Sequence, residues 1–214
     1  MKKLLLLATA LAAAVTTHAT IYSTNWNTGF VNSGVVPDNN FSGWSDTRSV
    51  SSMPAGTFTG LSVDLQLSGG WNGDLYAYLV HSSGFSVLLD RVGIGLSGSF
   101  GYGDAGMNVN LAATGTSIHQ YGGANTFSAA PTDSWMTDNT SGDLASFLST
   151  DPHGTWSLFV ADLSGGGVTT VQSWGLQMNI VAVPEVETWV AAALAGAFGA
   201  FWLNRQLWRG VKKN

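Results

Sequence analysis

Leu61, Val63, Leu65 and Leu67 alternate without a break with Ser62, Asp64, Gln66 and Ser68. A period of two marks a strand with one face in a core and the other in water. Similar runs occupy Asp74 to Val80, Phe85 to Leu89, Met107 to Leu111, Thr155 to Ala161 and Val168 to Ile180, and Gly-Gly, Asn-Gly, Ser-Gly and Gly-Gly-Gly turns separate them. Many short strands with frequent turns predict an all-β, antiparallel sandwich, and the roughly 160 residues involved suffice for one domain with its own core. The chain has 27 glycines but only five prolines and no Gly-X-Y period, which fits turns and excludes collagen. Helical spacing within this body is confined to Leu144, Phe147 and Leu148, which predicts a turn or two over Ser141 to Leu148. Trp156, Leu158 and Val160 are expected in the core, with Trp174, Leu176, Met178 and Ile180 in the neighbouring strand across the glycine turn.

Charge is scarce, at 10% of residues against the usual quarter or so, and it is segregated. Lys2 and Lys3 open the chain and Arg205, Arg209, Lys212 and Lys213 close it, which leaves Arg48 and Arg91 as the cations of the body against eleven aspartates. Such a body repels a phosphate backbone, so nucleic acid is excluded as a partner. The same charge attracts divalent cations or basic partners. With no cysteine, disulfide scaffolds, thiolate metal sites and cysteine nucleophiles are excluded.

Met1-Lys2-Lys3, the apolar run Leu4 to Val15 and Thr17-His18-Ala19 are laid out as a secretory leader, with cleavage expected between Ala19 and Thr20. Residues 1–19 are then signal peptide and 20–183 an exported sandwich. At the other end Val183-Pro184 closes the last strand, and an apolar stretch follows from Val190 to Leu203. A helix from Val186 to Trp208 would be about 34 Å long. That length, with Trp189, Trp202 and Trp208 suited to interfaces and basic residues beyond, predicts a transmembrane helix that holds the precursor in the inner membrane.

This order of motif, apolar helix and basic tail over 184–214 resembles the PEP-CTERM sorting signal of Gram-negative bacteria. Pro184 and Glu185 match its Pro-Glu-Pro motif, and Val186 stands where the second proline would be. The resemblance implies an exosortase-type processing enzyme as partner, removal of the tail, and delivery to the cell surface or extracellular space in a setting of exopolysaccharide.

The body carries a second resemblance. Gly73-Asp74-Leu75-Tyr76-Ala77-Tyr78-Leu79 with Ser82-Ser83-Gly84-Phe85-Ser86-Val87-Leu88-Leu89 and Arg91-Val92-Gly93 is similar to the Gly-Asp-Leu strand and hairpin of the proprotein convertase P domain, or Homo B. Gly154-Thr155-Trp156 through Asp162, Gly165-Gly166-Gly167 and Ser173-Trp174-Gly175-Leu176 resemble its closing segment, and Val36-Pro37-Asp38 its opening one. The matches frame residues 36–180, with little likeness over 94–139. The resemblance implies an eight-stranded jelly roll and the company of subtilisin-like proteases.

The protease chemistry itself is not expected here. Gly115-Thr116-Ser117 and His153-Gly154-Thr155 lack the continuations of the nucleophile and histidine segments, and a subtilase needs an α/β domain that this chain does not encode. No P-loop, Gly-x-Ser-x-Gly or His-Glu-x-x-His occurs, and His81, His119 and His153 have no metal-ligand spacing. The expectation is therefore a non-catalytic surface or matrix module that contacts exopolysaccharide or a surface protein and requires no cofactor. A carbohydrate-binding module is the alternative, with Trp44, Trp71 and Trp135 in polar loops as stacking residues, and an accessory domain of a subtilisin-like protease is another. Calcium is the candidate ion, with Asp104 first and Asp38 and Asp74 after it, because aspartates beside glycine or asparagine place carboxylates and carbonyls together.

Processing at both ends is expected: intact mass of the secreted protein should correspond to a chain from near Thr20 to near Pro184, and a secreted form that still carries Trp189 to Asn214 would show that the tail is not removed.

Overall fold

A computed structural model describes residues 19–53, 56–122, 132–138, 143–182 and 186–211. Two units make up the chain, and Ala19–Val181 is one of them. Its described residues form nine strands: β1 (Ala19–Ser23), β2 (Asn40–Val50), β3 (Gly56–Gly69), β4 (Leu75–His81), β5 (Gly84–Asp90), β6 (Met107–Ser117), β7 (Ser134–Met136), β8 (Gly154–Asp162) and β9 (Thr169–Ala182). They form a five-stranded sheet in the order β1-β9-β3-β6-β7 and a four-stranded sheet in the order β2-β8-β4-β5.

The alternation of β3 decides which side of the larger sheet is dry. Val63, Leu65 and Leu67 lie opposite Leu111, Val109 and Met107 of β6, and all six are buried. Their neighbours Ser62, Asp64 and Gln66 point outward, where Asp64 accepts hydrogen bonds from Asn110 Nδ2 at 2.7 Å and Gln177 Nε2 at 2.9 Å. In the smaller sheet β8 is central. Trp156, Leu158 and Val160 turn inward beside Leu75, Ala77 and Leu79 of β4. Ser82 and Ser83 close the β4–β5 hairpin, with His81 opposite Gly84.

Two expectations change. The expected neighbours β8 and β9 lie in different sheets, so the glycine-rich segment between them carries the chain across the sandwich instead of closing a hairpin. The turn expected before Leu148 is a 3-10 turn, Leu144–Phe147, capped by Asp143, whose carboxylate accepts the Ala145 N–H at 3.0 Å. The other change concerns the tail. Its helix α1 forms over Val186–Val211, yet among the described residues no helix is long and apolar enough to cross a membrane. Alanine and glycine fill much of the apolar stretch and contribute little transfer free energy, and Asn204 and Arg205 end it. Leu194, Phe198, Phe201, Trp202 and Leu203 of α1 are exposed.

Trp156 anchors the core. It is fully buried, stacks on His81 with centroids 4.3 Å apart, meets Phe58 edge-on and Phe147 at a tilt, and donates its Nε1–H to the Pro152 carbonyl at 2.9 Å. Trp156→Ala should destabilise the fold by about 3 to 5 kcal/mol, seen as a lower denaturant midpoint. An unchanged midpoint would contradict this packing.

Candidate functional site

Register places one set of connections together. Asn40 at the start of β2 and Leu75 at the start of β4 both lie opposite Asp162 at the end of β8, and Tyr76 lies opposite Asp90 at the end of β5. The segments β3–β4, β5–β6 and β8–β9 therefore meet at one pole of the sandwich. They enclose a cleft of about 300 Å³ lined by Trp71, Asp74, Phe100 to Gly103, Ser164 and Gly165, at the lower end of the range for small-molecule sites.

Backbone contacts hold its walls. Gly73 donates its N–H to the Tyr102 carbonyl at 2.8 Å and Asn72 to the Asp104 carbonyl at 2.9 Å, while Tyr102 N–H reaches Val92 O at 2.9 Å. A Cβ on Gly73 would lie 2.3 Å from Phe100 O, so a residue with a side chain there would force the two segments apart. Gly166, at φ +137°, lets the β8–β9 segment pass against the six-membered ring of Trp71, which a Cβ would approach to 2.8 Å. Tyr102 is fixed by its hydroxyl, which donates to His119 O at 2.7 Å, whereas the Phe100 ring is 75% exposed at the rim.

The floor is acidic. Burial raises the pKa of Asp74; a hydrogen bond with Ser164 and the charge of Arg91, whose Nη2 stands 4.0 Å from the carboxylate, oppose that rise. Burial pushes Asp162 up to about 6, against a hydrogen bond from Ser164 N–H at 3.2 Å and with help from the charges of Asp74 and Asp38. Asp38 is exposed and accepts from Gly166 N–H at 3.3 Å. Asp74 thus feels the charges of both Arg91 and Asp38, and Asp162 those of Asp74 and Asp38.

Asp38, Asp74 and Trp71 are thereby brought to one place, and the other predicted site residues are not. Asp104 is fully buried; its Oδ2 accepts from the Tyr121 hydroxyl at 3.0 Å, and that hydroxyl accepts from Asn72 Nδ2 at 3.1 Å. Among the described residues no three acidic or histidine side chains gather to hold a metal ion. Trp44 is a core residue, 4% exposed, with its Nε1–H on Val31 O at 2.9 Å and its ring edge-on to Phe30; it offers no face to a ligand. Trp135 on β7 is half-buried, packs against the core and donates to Thr132 O. Ala19 and Thr20 lie in β1 opposite Val181 and Ile180. The leader up to His18 and the pair Pro184 and Glu185 lie outside the described residues.

The histidines are occupied with holding loops. His119 Nδ1 accepts Gly93 N–H at 2.7 Å, so its proton is on Nε2, which donates to Asp138 at 2.7 Å. Ser117 Oγ accepts the His119 N–H, so it stands at the backbone of that histidine and not at its ring. His81 pairs through Nδ1 with Ser83 and through Nε2 with His153 O, and His153 pairs with Asp151.

No protein-family model matches the chain, and no curated protein matches it. Among solved structures it is similar to a chain in the complex of the Aeromonas sobria serine protease with its chaperone ORF2, at 17% identity and a TM-score of 0.48, over 78% of this chain and 28% of that one. A structure of the Aeromonas sobria serine protease is similar at 17% identity and a TM-score of 0.47, over 76% of this chain and 27% of that one. The chain thus spans little more than a quarter of the length of these neighbours, and a likeness of this size establishes neither a family nor an activity.

The raised Asp162 makes stability depend on pH. The folded chain retains that proton between about pH 4, where an unfolded aspartate loses it, and about pH 6. Its contribution is fully present below the unfolded value and is lost as pH rises through the folded one. Asp162→Asn keeps an acceptor for Ser164 and removes the titration. The stability of the wild type relative to this variant should therefore fall between about pH 4 and 7, measured by denaturant melts; parallel profiles would contradict the burial of a titrating carboxyl.

Proposed function

We propose that this chain is an exported, non-catalytic binding module of the cell surface or extracellular matrix, with a P-domain-like jelly-roll sandwich that contacts polymer through the cleft at its Trp71 pole. The observation that carries the reading is the meeting of Trp71 and Phe100 with Asp74 and Ser164 around one open cavity. Flat apolar rings beside a few fixed polar groups suit a ligand that has both C–H faces and hydroxyls, as sugar rings do. The histidines argue the same way: their ring nitrogens are occupied by the carboxylates of Asp138 and Asp151, by backbone groups and by one serine, and the second nitrogen of His81, which pairs with Ser83, meets a carbonyl in place of an orienting carboxylate. Export rests on the leader ending at Ala19 and on the Pro184-Glu185 tail, with an exosortase-type enzyme as the processing partner.

A glycan array probed with the secreted protein tests this. Retention on one class of glycan should occur in the wild type and be lost in Trp71→Ala while that variant stays folded by near-ultraviolet circular dichroism, and an activity-based serine-hydrolase probe should not label the protein. Labelling, or retention indifferent to Trp71, would refute the reading.

A further inference from the structure

The charge of the cleft narrows the ligand. Neutral sugars need hydrogen-bonding groups and an apolar face, and one carboxylate is enough to orient them. This cleft has more. Asp74 lines it while 96% buried; Asp38 accepts from the N–H of Gly166, a residue that lies against Trp71; and Asp162, opposite Leu75 at the end of β8, is close enough for the charges of all three to act on one another. The single cation is Arg91, whose Nε is committed to Gly73 O at 3.2 Å and whose Nη2 is 4.0 Å from Asp74, beyond a hydrogen bond. Carboxylates held close together in a partly dry site are costly, and a cation entering the site relieves that cost. The ring of Trp71 favours the same charge through its negative face. Around this, the Ser164 hydroxyl and the exposed backbone of Gly165 present short-range partners for hydroxyl groups.

We infer that the cleft selects a cationic amino sugar: a glucosamine-type residue of a partly deacetylated polysaccharide, with its ammonium toward Asp74 and a ring face on Trp71. This rests on the binding-module reading above and adds to it the sign of the ligand's charge. No bond is made or broken. The exposed Phe100 at the rim, and Phe41 and Val168 on segments at the same pole, leave an apolar border along which further sugar rings of the chain would run.

The test compares two probes of equal length, a glucosamine oligomer and the corresponding N-acetylglucosamine oligomer, against the full chain by titration calorimetry at physiological ionic strength. The free-amine oligomer should bind roughly tenfold more tightly, the size of one charge-assisted hydrogen bond. Asp74→Asn should bring that ratio close to one, while Asp64→Asn, on the outer face of the larger sheet, should leave it unchanged and so separate the cleft from the general acidity of the body. Trp71→Ala should weaken both oligomers. Near-ultraviolet circular dichroism of each variant confirms folding. Equal affinity of the two oligomers with continued dependence on Trp71 would overturn the cationic selection and leave the binding-module reading intact. Failure of every glycan to bind would overturn the reading itself. A lysine oligomer bound as tightly as the glucosamine oligomer would overturn the assignment to sugar.

Discussion

Asp46 ties the two sheets together through the core. It sits on β2 in the smaller sheet, 8% exposed, and its Oδ2 accepts the Nε1–H of Trp174 on β9 in the larger sheet at 2.7 Å. Arg48, two residues along the same strand, neutralises it at 2.6 Å and continues to Thr28 O and over the ring of Phe30. Removing one member of such a group leaves a buried charge or donor unpaired, so the register of β2 and the position of Trp174 are fixed jointly. Trp174 in turn packs on Trp26 with centroids 4.4 Å apart and holds the segment that leads from β1 to β2. The core is therefore bound by apolar area and registered by one polar group.

That polar group also explains what the sequence concealed. Strands whose inward positions are uniformly apolar were legible from their alternation: β3 with Leu61 to Leu67, β8 with Trp156, Leu158 and Val160, and β9 with Trp174 to Ile180. In β2 the inward series runs through Trp44, Asp46 and Val50, so the carboxylate breaks the apolar pattern and gives the segment the look of a polar loop, with Trp44 exposed. The short edge strands β1 and β7 draw their order from neighbours, Ile180 and Asn110 among them, and carry no periodic signal of their own. Alternation cannot tell whether two strands joined by glycines share a sheet or face each other across it. The β8–β9 connection was misjudged for that reason.

The site was legible by half. Trp71 and Asp74 stand next to glycines in a polar stretch, and Asp38 follows a proline; each pointed to a turn at the surface. Phe100, Tyr102 and Ser164 are supplied by segments that only the three-dimensional meeting of three connections brings together. Asp162 did leave a signal, since it occupies the inward phase of Trp156, Leu158 and Val160 and so places a carboxyl where the strand otherwise buries apolar side chains. Asp104 looked like an exposed loop acid for lack of any local hint that Tyr121, seventeen positions later, would cover it.

Asp46 and Asp162 are both aspartates in the inward phase of a strand, and the difference between them separates structure from site. Asp46 has an arginine and an indole as partners, a complete set that repays its burial. Asp162 has a backbone N–H, a neighbour of its own sign in Asp74, and a pKa raised to about 6 by burial. A buried carboxyl with so few partners subtracts from stability at neutral pH, offset in part by the Ser164 N–H that it accepts at the turn after β8. Unfavourable electrostatics of this kind are concentrated where a fold meets a ligand that completes them. Through that Ser164 N–H the carboxylate of Asp162 also ties the end of β8 to the segment that lines the cleft.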